Sequence, residues 1–443
     1  VKEGAVEGPP SAAAKLAEIL SRRTVANAEF FAASAKSIAR LCHQMAERFA
    51  RGGRLVALAA SPQARSDARH VAVEFVHPVI VGKRALPALG LTAEAGEVAR
   101  LADLVARPDD MVIAFSDLAV TALTPGPSPK GRGEQSRNIS GLFSPLPLGE
   151  GPGVRAEAPE WGALIAALRA RGCLTLAFEP LGAEWEFAPP TADPFVWQEL
   201  IETLYHLLWE SVHVFFEHRG LLGGRDSRPV HDAGASRFLY PFLNEGERDL
   251  PAVLADVSRS VKMKAEEVGD LRQRTLTEGA EVLEAAARAV RERLEAGGTL
   301  LAFGNGGSAT DAMDLVADFR AAPQGWPARR ALDLTEDAAI LTALANDVGP
   351  DVLFSRQIIA YGEKGDVAVA LSTSGGSRNI IEALSEARRR GLLTVAFVGY
   401  DGGRIAAERL ADFVIVTPSQ YVPRIQEAQA SAYHALRELV EVG

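Results

Sequence analysis

Cysteine is scarce in this chain: Cys42 and Cys173 are the two among 443 residues, which excludes a disulfide framework as the source of stability. Long apolar runs are also missing, since no stretch approaches the ~18 residues that a membrane-crossing helix needs. The opening segment VKEGAVEGPP has neither the basic start nor the apolar centre of a secretory signal, so the expected location is cytoplasmic, with no membrane partner. Nor is there an excess of positive charge. With 47 basic against 57 acidic residues the net charge is −10, which argues against broad nucleic-acid binding, and no direct nucleic-acid partner is expected.

What is present is ordinary for a globular protein: 47% hydrophobic and 23% charged residues over a length that suits two domains. The organising stretch is TLLAFGNGGSATDA (299–312). Its apolar run predicts a strand, its glycines a tight turn, and the residues after them a helix. Gly304, Gly306 and Gly307 permit positive φ and close backbone approach, while Asn305 and Ser308 add side-chain donors. Such a loop delivers unpaired N–H groups and the positive end of a helix dipole to one point, which favours an anion such as phosphate. A second loop of the same kind, STSGGS (372–377), follows the apolar run DVAVALS, with Ser372, Thr373, Ser374 and Ser377 as candidate ligands. Two such loops at the carboxyl edge of one parallel sheet form a sugar-phosphate pocket.

Periodicity then orders the chain. Two helices are expected over 11–50, then a strand at 54–60, a turn at 61–64 and a helix from about Ser66 to Val76. Strands at 111–116 and 173–178 flank a helix at 162–172, and a long helix starts near Pro194. The stretch 121–159, rich in Pro, Gly and Ser, is expected to be a disordered insertion. A Gly/Arg/Pro-rich connection over 219–250 follows. The pattern then restarts with helices over 251–296, strands at 299–303, 328–334, 366–372, 392–399 and 412–418, and a closing helix at 425–442. Residues 45–76 and 289–320 align without gaps, so the chain is an internal repeat. The expected domains are 11–218 with its insertion, a 219–250 linker, and 251–443. The expected fold class is α/β, two doubly wound parallel sheets with flanking helices.

GNGGS, AND (345–347), STSGGS with SRNIIEAL, and RIQEAQASAYH (424–434) resemble the sugar isomerase (SIS) domain family, specifically its phosphoheptose isomerase branch and a non-catalytic replication-associated relative. The resemblance spans 251–443 nearly end to end and, more weakly, 16–218. It implies SIS-type sheets and an aldose–ketose isomerisation of sedoheptulose 7-phosphate, with zinc and without a nucleotide cofactor. In that branch a His and a Glu four residues on, with a Gln and a His eight residues on in the last helix, form a zinc site, and the Glu and last His serve as base and acid. The first repeat carries all four, as His70, Glu74, Gln198 and His206; the second keeps Gln426 and His434 but holds Asp314 and Asp318 at the other two positions.

The spacing of His70 and Glu74 puts both on one helix face, whereas Gln198 and His206 stand about 12 Å apart along a helix, so one of them is expected to serve a site shared with another domain or subunit. Asp318 is one methylene shorter than Glu and sits ~1.5 Å back. The phosphate loop is uneven in the opposite sense, because Ala60, Ser61, Pro62, Gln63 and Ala64 stand where GNGGS would be. The catalytic candidates are therefore His434 with Asp318 as a weakened base, together with Glu74 and His206. Asn305, Gly306, Gly307, Ser308, Asn346, Asp347, Ser372, Thr373, Ser374, Ser377 and Gln426 are the substrate candidates. Metal candidates are His70, Glu74, Gln198, His206, Gln426 and His434. A composite site, joining His70 and Glu74 to the second repeat's loops, is the bolder expectation. The competing expectation is a sugar-phosphate-binding regulator or adaptor without turnover. A homo-oligomer, a dimer of four domains, is expected in either case.

Overall fold

The computed structural model describes residues 12–78, 83–93, 97–116, 160–217, 249–321 and 326–442. The expected insertion (121–159), and the connection (219–250) apart from Asp249 and Leu250, lie outside the described residues.

The first repeat runs α1 (Ala12–Arg51), β1 (Leu55–Ala59), α2 (Pro62–Val76), β2 (Ala88–Thr92), α3 (Val98–Val105), β3 (Met111–Phe115), α4 (Trp161–Ala170), β4 (Leu174–Ala177), β5 (Trp185–Glu186) and α5 (Pro194–Glu217). The second runs α6 (Leu250–Glu278), α7 (Ala280–Glu295), β6 (Leu300–Phe303), α8 (Gly307–Arg320), β7 (Ala331–Asp333), α9 (Ala338–Asp347), α10 (Ser355–Tyr361), β8 (Val367–Ser372), α11 (Arg378–Arg390), β9 (Leu393–Gly399), α12 (Gly403–Ala407), β10 (Phe413–Thr417) and α13 (Val422–Val442), with a 3₁₀ turn at Pro350–Val352. The strand orders are β2-β1-β3-β4-β5 and β10-β9-β8-β6-β7, with every pair parallel. The second is the first again, strand for strand. In each sheet the order reverses between the first and third strands, where parallel sheets bind ligands, and both glycine loops emerge there in the second repeat.

Several expectations shift. Residues 11–50 form one helix rather than two, since its buried positions run on unbroken from Leu16 and Ile19 through Phe30, Ile38 and Met45. Residues 251–296, expected to be helical, are a helix pair parted at Gly279, where a Cβ would lie 2.7 Å from the Thr275 carbonyl oxygen. The strand expected at 328–334 shrinks to β7. The repeat is also not gap-free. Gly52-Gly53 and Gly297-Gly298 close the preceding helices in the same way, yet His70 and Asp314 hold the same buried place on α2 and α8, so the segment between these points is one residue longer in the first repeat than in the second.

The two repeats are interlocked. Leu16 and Ile19 of α1 belong to the core around the second sheet, while Val253, Val257, Val261 and Ala265 of α6 belong to the core around the first. Ion pairs, buried but for the half-exposed Arg22, tie the same join: Glu210 of α5 with Lys264 and Arg424, and Glu438 of α13 with Arg22 and Arg23. In consequence α2 packs on α8, and the helices carrying the candidate residues of both repeats face each other.

Candidate functional site

The two loops that precede α2 and α8 differ in how they treat the helix N-terminus. Ser61 caps α2, its Oγ accepting from Ala64 N at 3.0 Å, and Pro62 supplies a first-turn position without an N–H. The first repeat therefore satisfies its own donors. The cap of α8 is Gly306 at φ 58°, with no side-chain cap; Ser308 N and Ala309 N bond back to Asn305 O and Gly306 O at 3.1 and 3.0 Å, and no side chain closes the helix start to an external acceptor. Gly304 is required there because a Cβ would lie 2.2 Å from Ser308 O. Asn305 clasps Asn379 of α11 through two amide bonds of 3.0 and 2.8 Å, which fixes this loop to the helix that follows STSGGS. In that second loop Ser372 Oγ accepts from Gly375 N and Ser374 Oγ from Gly376 N, both at 3.2 Å. Ser377 caps α11 without a side-chain bond, and Thr373 O accepts from Gly399 N at 3.0 Å. Asn346 and Asp347 lie exposed at the end of α9, where they bond to each other.

At Gly307 the two repeats meet. A Cβ on this residue would lie 1.9 Å from Gln426 Nε2 and 2.9 Å from His70 Nε2, so a side chain of the first repeat reaches the glycine loop of the second. His70 Nε2 stands 3.3 Å from His206 Nε2, 3.3 Å from Gln426 Nε2 and 3.9 Å from Glu74 Oε1. All four side chains are buried. The quartet expected within the first repeat is thus divided: His70, Glu74 and His206 converge, while Gln198 points elsewhere, donating to Asp67 Oδ1 at 3.1 Å. Its place is taken by Gln426, as the length of the Gln198–His206 interval requires.

The donor set fits a zinc ion. Two imidazole nitrogens, a carboxylate and an amide oxygen are ligands zinc accepts, and nitrogens bound at about 2.0–2.1 Å in a tetrahedron stand ~3.3 Å apart, as these two do. Glu74 Oε2 and Gln426 Oε1 are buried without a hydrogen-bond partner, and an amide turned end for end would direct the oxygen at His70. His70, Glu74 and His206 offer ligand atoms within 4.8 Å of one another. Around them His70 Nδ1 meets the Tyr205 hydroxyl at 3.0 Å, the hydroxyl bonds on to Asp67, and His206 Nδ1 meets Glu427 Oε1 at 3.0 Å. Burial and then His206 hold the His70 pKa well below its ordinary value. Burial raises Glu74 to about 7, against the pull of His206, with Glu210 and Glu427 adding to the rise.

Asp311 and Glu202 complete the surroundings. Asp311 Oδ1 lies 3.7 Å from His70 Nδ1, and both carboxyls are raised, first by burial and then by neighbouring acids. Neither had been expected from the sequence. The one usable signal was repetition, because Asp67 and Asp311 recur on corresponding helix faces.

The mirror-related cluster is different. His434 Nε2 lies 3.2 Å from Asp314 Oδ2 and 3.4 Å from Asp318 Oδ2, and its Nδ1 2.9 Å from Glu199 Oε1. Tyr433 and Ser66 donate to Asp314. Burial alone would lower the His434 pKa, but the bonds to Asp314, Asp318 and Glu199 raise it well above its usual value; burial lifts Asp318 to about 6. Here a buried cationic imidazole among acids is the arrangement the side chains support, beside a capped loop.

Among known proteins, the family model of the SIS domain matches residues 265–399. The phosphoheptose isomerase of Thermodesulfovibrio yellowstonii is 36% identical over 187 residues, covering 42% of this chain and 92% of that protein. The phosphoheptose isomerase of Akkermansia muciniphila is 44% identical over 160 residues, covering 36% of this chain and 84% of its own. In structure, the tagatose-6-phosphate ketose/aldose isomerase of Escherichia coli superposes with a TM-score of 0.53 at 12% identity over 98% of this chain and 95% of its own, a likeness of fold that takes in both sheets. No described helix is long and apolar enough to cross a membrane. A relative matched over nine-tenths of its length at this identity, together with a matching domain model and fold, places the chain in the phosphoheptose isomerase family of SIS-domain proteins.

Proposed function

We propose that the chain binds a sugar phosphate and isomerises it between aldose and ketose, converting sedoheptulose 7-phosphate to D-glycero-D-manno-heptose 7-phosphate, in a composite site built from both repeats. The observation that carries this is the meeting at Gly307: the first repeat, whose own loop is capped, lends His70, Glu74 and His206 to the glycine loop and Gln426 of the second. Each repeat alone is defective, and together they assemble one complete set.

In this reading the backbone of 304–308 and the hydroxyls of Ser372, Thr373, Ser374 and Ser377 hold the phosphate. Glu74 serves as the base, taking the proton from one of C1 and C2 and returning it to the other through an enediol. A zinc ion held by His70, Glu74, His206 and Gln426 would polarise the carbonyl. Closure of α2 against α8 keeps bulk water from the carbon-bound proton. His434 and Asp318, the sequence-based candidates for acid and base in the second repeat, are assigned to the mirror cluster and a structural role.

The test is an isomerase assay on sedoheptulose 7-phosphate with and without added zinc, beside metal analysis of the purified chain. Turnover that depends on Glu74 is expected; binding of the sugar phosphate without turnover would instead support the adaptor reading. A dimer of four repeats, expected at twice 47.1 kDa by light scattering, is the accompanying oligomer proposal.

A further inference from the structure

The composite site is held together from behind by a residue that no motif singled out. His206 of α5 meets Glu427 of α13 through Nδ1 at 3.0 Å, and both side chains are fully buried. We propose that Glu427 is a positioning residue: it accepts the His206 Nδ1–H, fixes that tautomer and so turns the Nε2 lone pair toward His70, Glu74 and Gln426. The proposal rests on the composite-site reading and extends it to the second repeat's control over the first repeat's histidine.

Three observations support it. Glu427 is itself anchored, because Arg424 donates to it while also bonding Glu210 at 3.1 and 3.2 Å, and Tyr421 donates to the same Glu210 at 2.8 Å. Consecutive residues of α13 thereby divide the work, with Gln426 reaching His70 and Glu427 reaching His206. The device also occurs twice. In the mirror cluster Glu199, next to Gln198, meets His434 Nδ1 at 2.9 Å, so each repeat's histidine is oriented by the other repeat's glutamate. A histidine that ligates a metal through one nitrogen commonly donates from the other to a carboxylate, and loss of that partner costs about 10–100-fold in metal affinity.

The experiment uses the full chain stripped of metal, and measures zinc affinity by competition with a chromophoric chelator, together with the ¹⁵N signals of His206. Glu427→Ala is expected to weaken zinc binding about 10–100-fold and to shift His206 away from the Nδ1–H tautomer. Glu427→Gln, which keeps an acceptor, is expected to retain that tautomer and lose less. In the assay kcat falls while KM for the sugar phosphate stays nearly constant, since the phosphate loops are untouched. Arg424 keeps Glu210 in each variant; should Glu427→Ala still fail to fold, Glu427→Met, of similar length but without an acceptor, takes its place with the same expectation. A folded Ala or Met variant with unchanged zinc affinity and unchanged His206 tautomer would overturn the proposal. A parent chain that binds no zinc, yet loses the His206 tautomer on substitution, would leave Glu427 in its role and instead remove the metal from the proposed function.

Discussion

The two clusters at the join of the repeats occupy equivalent places and have diverged in chemistry. One gathers His70, Glu74, His206 and Gln426 around unpartnered oxygens beside an uncapped glycine loop. The other gathers Asp314, Asp318 and Glu199 around His434 beside a loop sealed by Ser61 and Pro62. In the first, the two imidazole Nε2 atoms face each other at 3.3 Å and leave room for an external cation. In the second, the imidazole itself supplies the positive charge. Because each cluster draws on both repeats, replacement of the His–Glu pair by Asp314 and Asp318 in one repeat and of the glycine loop in the other falls on the same cluster and spares its twin. The comparison teaches that a duplicated chain can bring one complete set of these side chains together even when neither half retains all of them.

The strongest way to break this comparison is to exchange the carboxylates one at a time. Glu74→Gln is expected to lower kcat about 10²–10⁴-fold, the range for loss of a general base, whereas Asp318→Asn leaves turnover close to that of the parent and lowers thermal stability instead. Steady-state kinetics on sedoheptulose 7-phosphate, with Tm as the control, decides between them. The reverse order of effects would return the active site to His434 and Asp318.

The loops supply the next contrast. In Gly307→Ala the added carbon, 1.9 Å from Gln426 Nε2 and 2.9 Å from His70 Nε2, must displace both. Misplacement of about 1 Å in a catalytic group costs about 10²-fold, so zinc affinity and kcat should fall together by roughly that factor. Pro62→Ala, at the equivalent loop of the mirror cluster, frees the unfolded chain slightly and is expected to cost about 0.4–1 kcal/mol of stability with no loss of turnover. Equal losses of turnover from both substitutions would mean that both loops serve substrate.

Much of this was legible in the sequence, for identifiable reasons. Glycine punctuates the chain, so the loops at 304–308 and 372–377 and the helix stops at Gly52-Gly53 and Gly297-Gly298 stood out, and the continuous apolar runs behind β1, β3, β6 and β8 are fully buried strands. β2 did not stand out, because ALGLT is short and half exposed, with no alternation to mark it. A meeting of residues from both repeats was expected from the missing parts of each and from the Gln198–His206 distance, and the geometry brings His70, Glu74 and Gln426 together. Glu427, Tyr205 and Asp311 were not expected, since a glutamate or tyrosine on a buried helix carries no distinctive spacing. Their signal lay in repetition: Gln-Glu followed by Tyr-His recurs at 198–206 and 426–434. Which glutamate serves which histidine depends on the crossing of α5 and α13 and was not readable from either helix alone.

The smallest effect concerns the frame rather than the site. Glu210 and Glu438 bridge the repeats at equivalent points, the first to Lys264 and Arg424, the second to Arg22 and Arg23. Burial would raise the Glu210 pKa, but Lys264 and Arg424 outweigh it and hold the carboxyl at about 2, below its ordinary 4.5. A carboxyl depressed in the folded state contributes stability that is present above its unfolded pKa and is lost as pH falls toward the folded one. Between pH 4.5 and about 3 this single group should therefore remove about 2 kcal/mol, against a parent whose activity at neutral pH is untouched. Acid titrations followed by urea unfolding should show a shallower decline in Glu210→Gln than in the parent over this interval, although the variant starts lower because Lys264 loses its buried partner. Parallel slopes in the two proteins would show that the Glu210 bridge does not hold the repeats together as the geometry implies, and that the burden of the join rests on the interlocked helices α1 and α6.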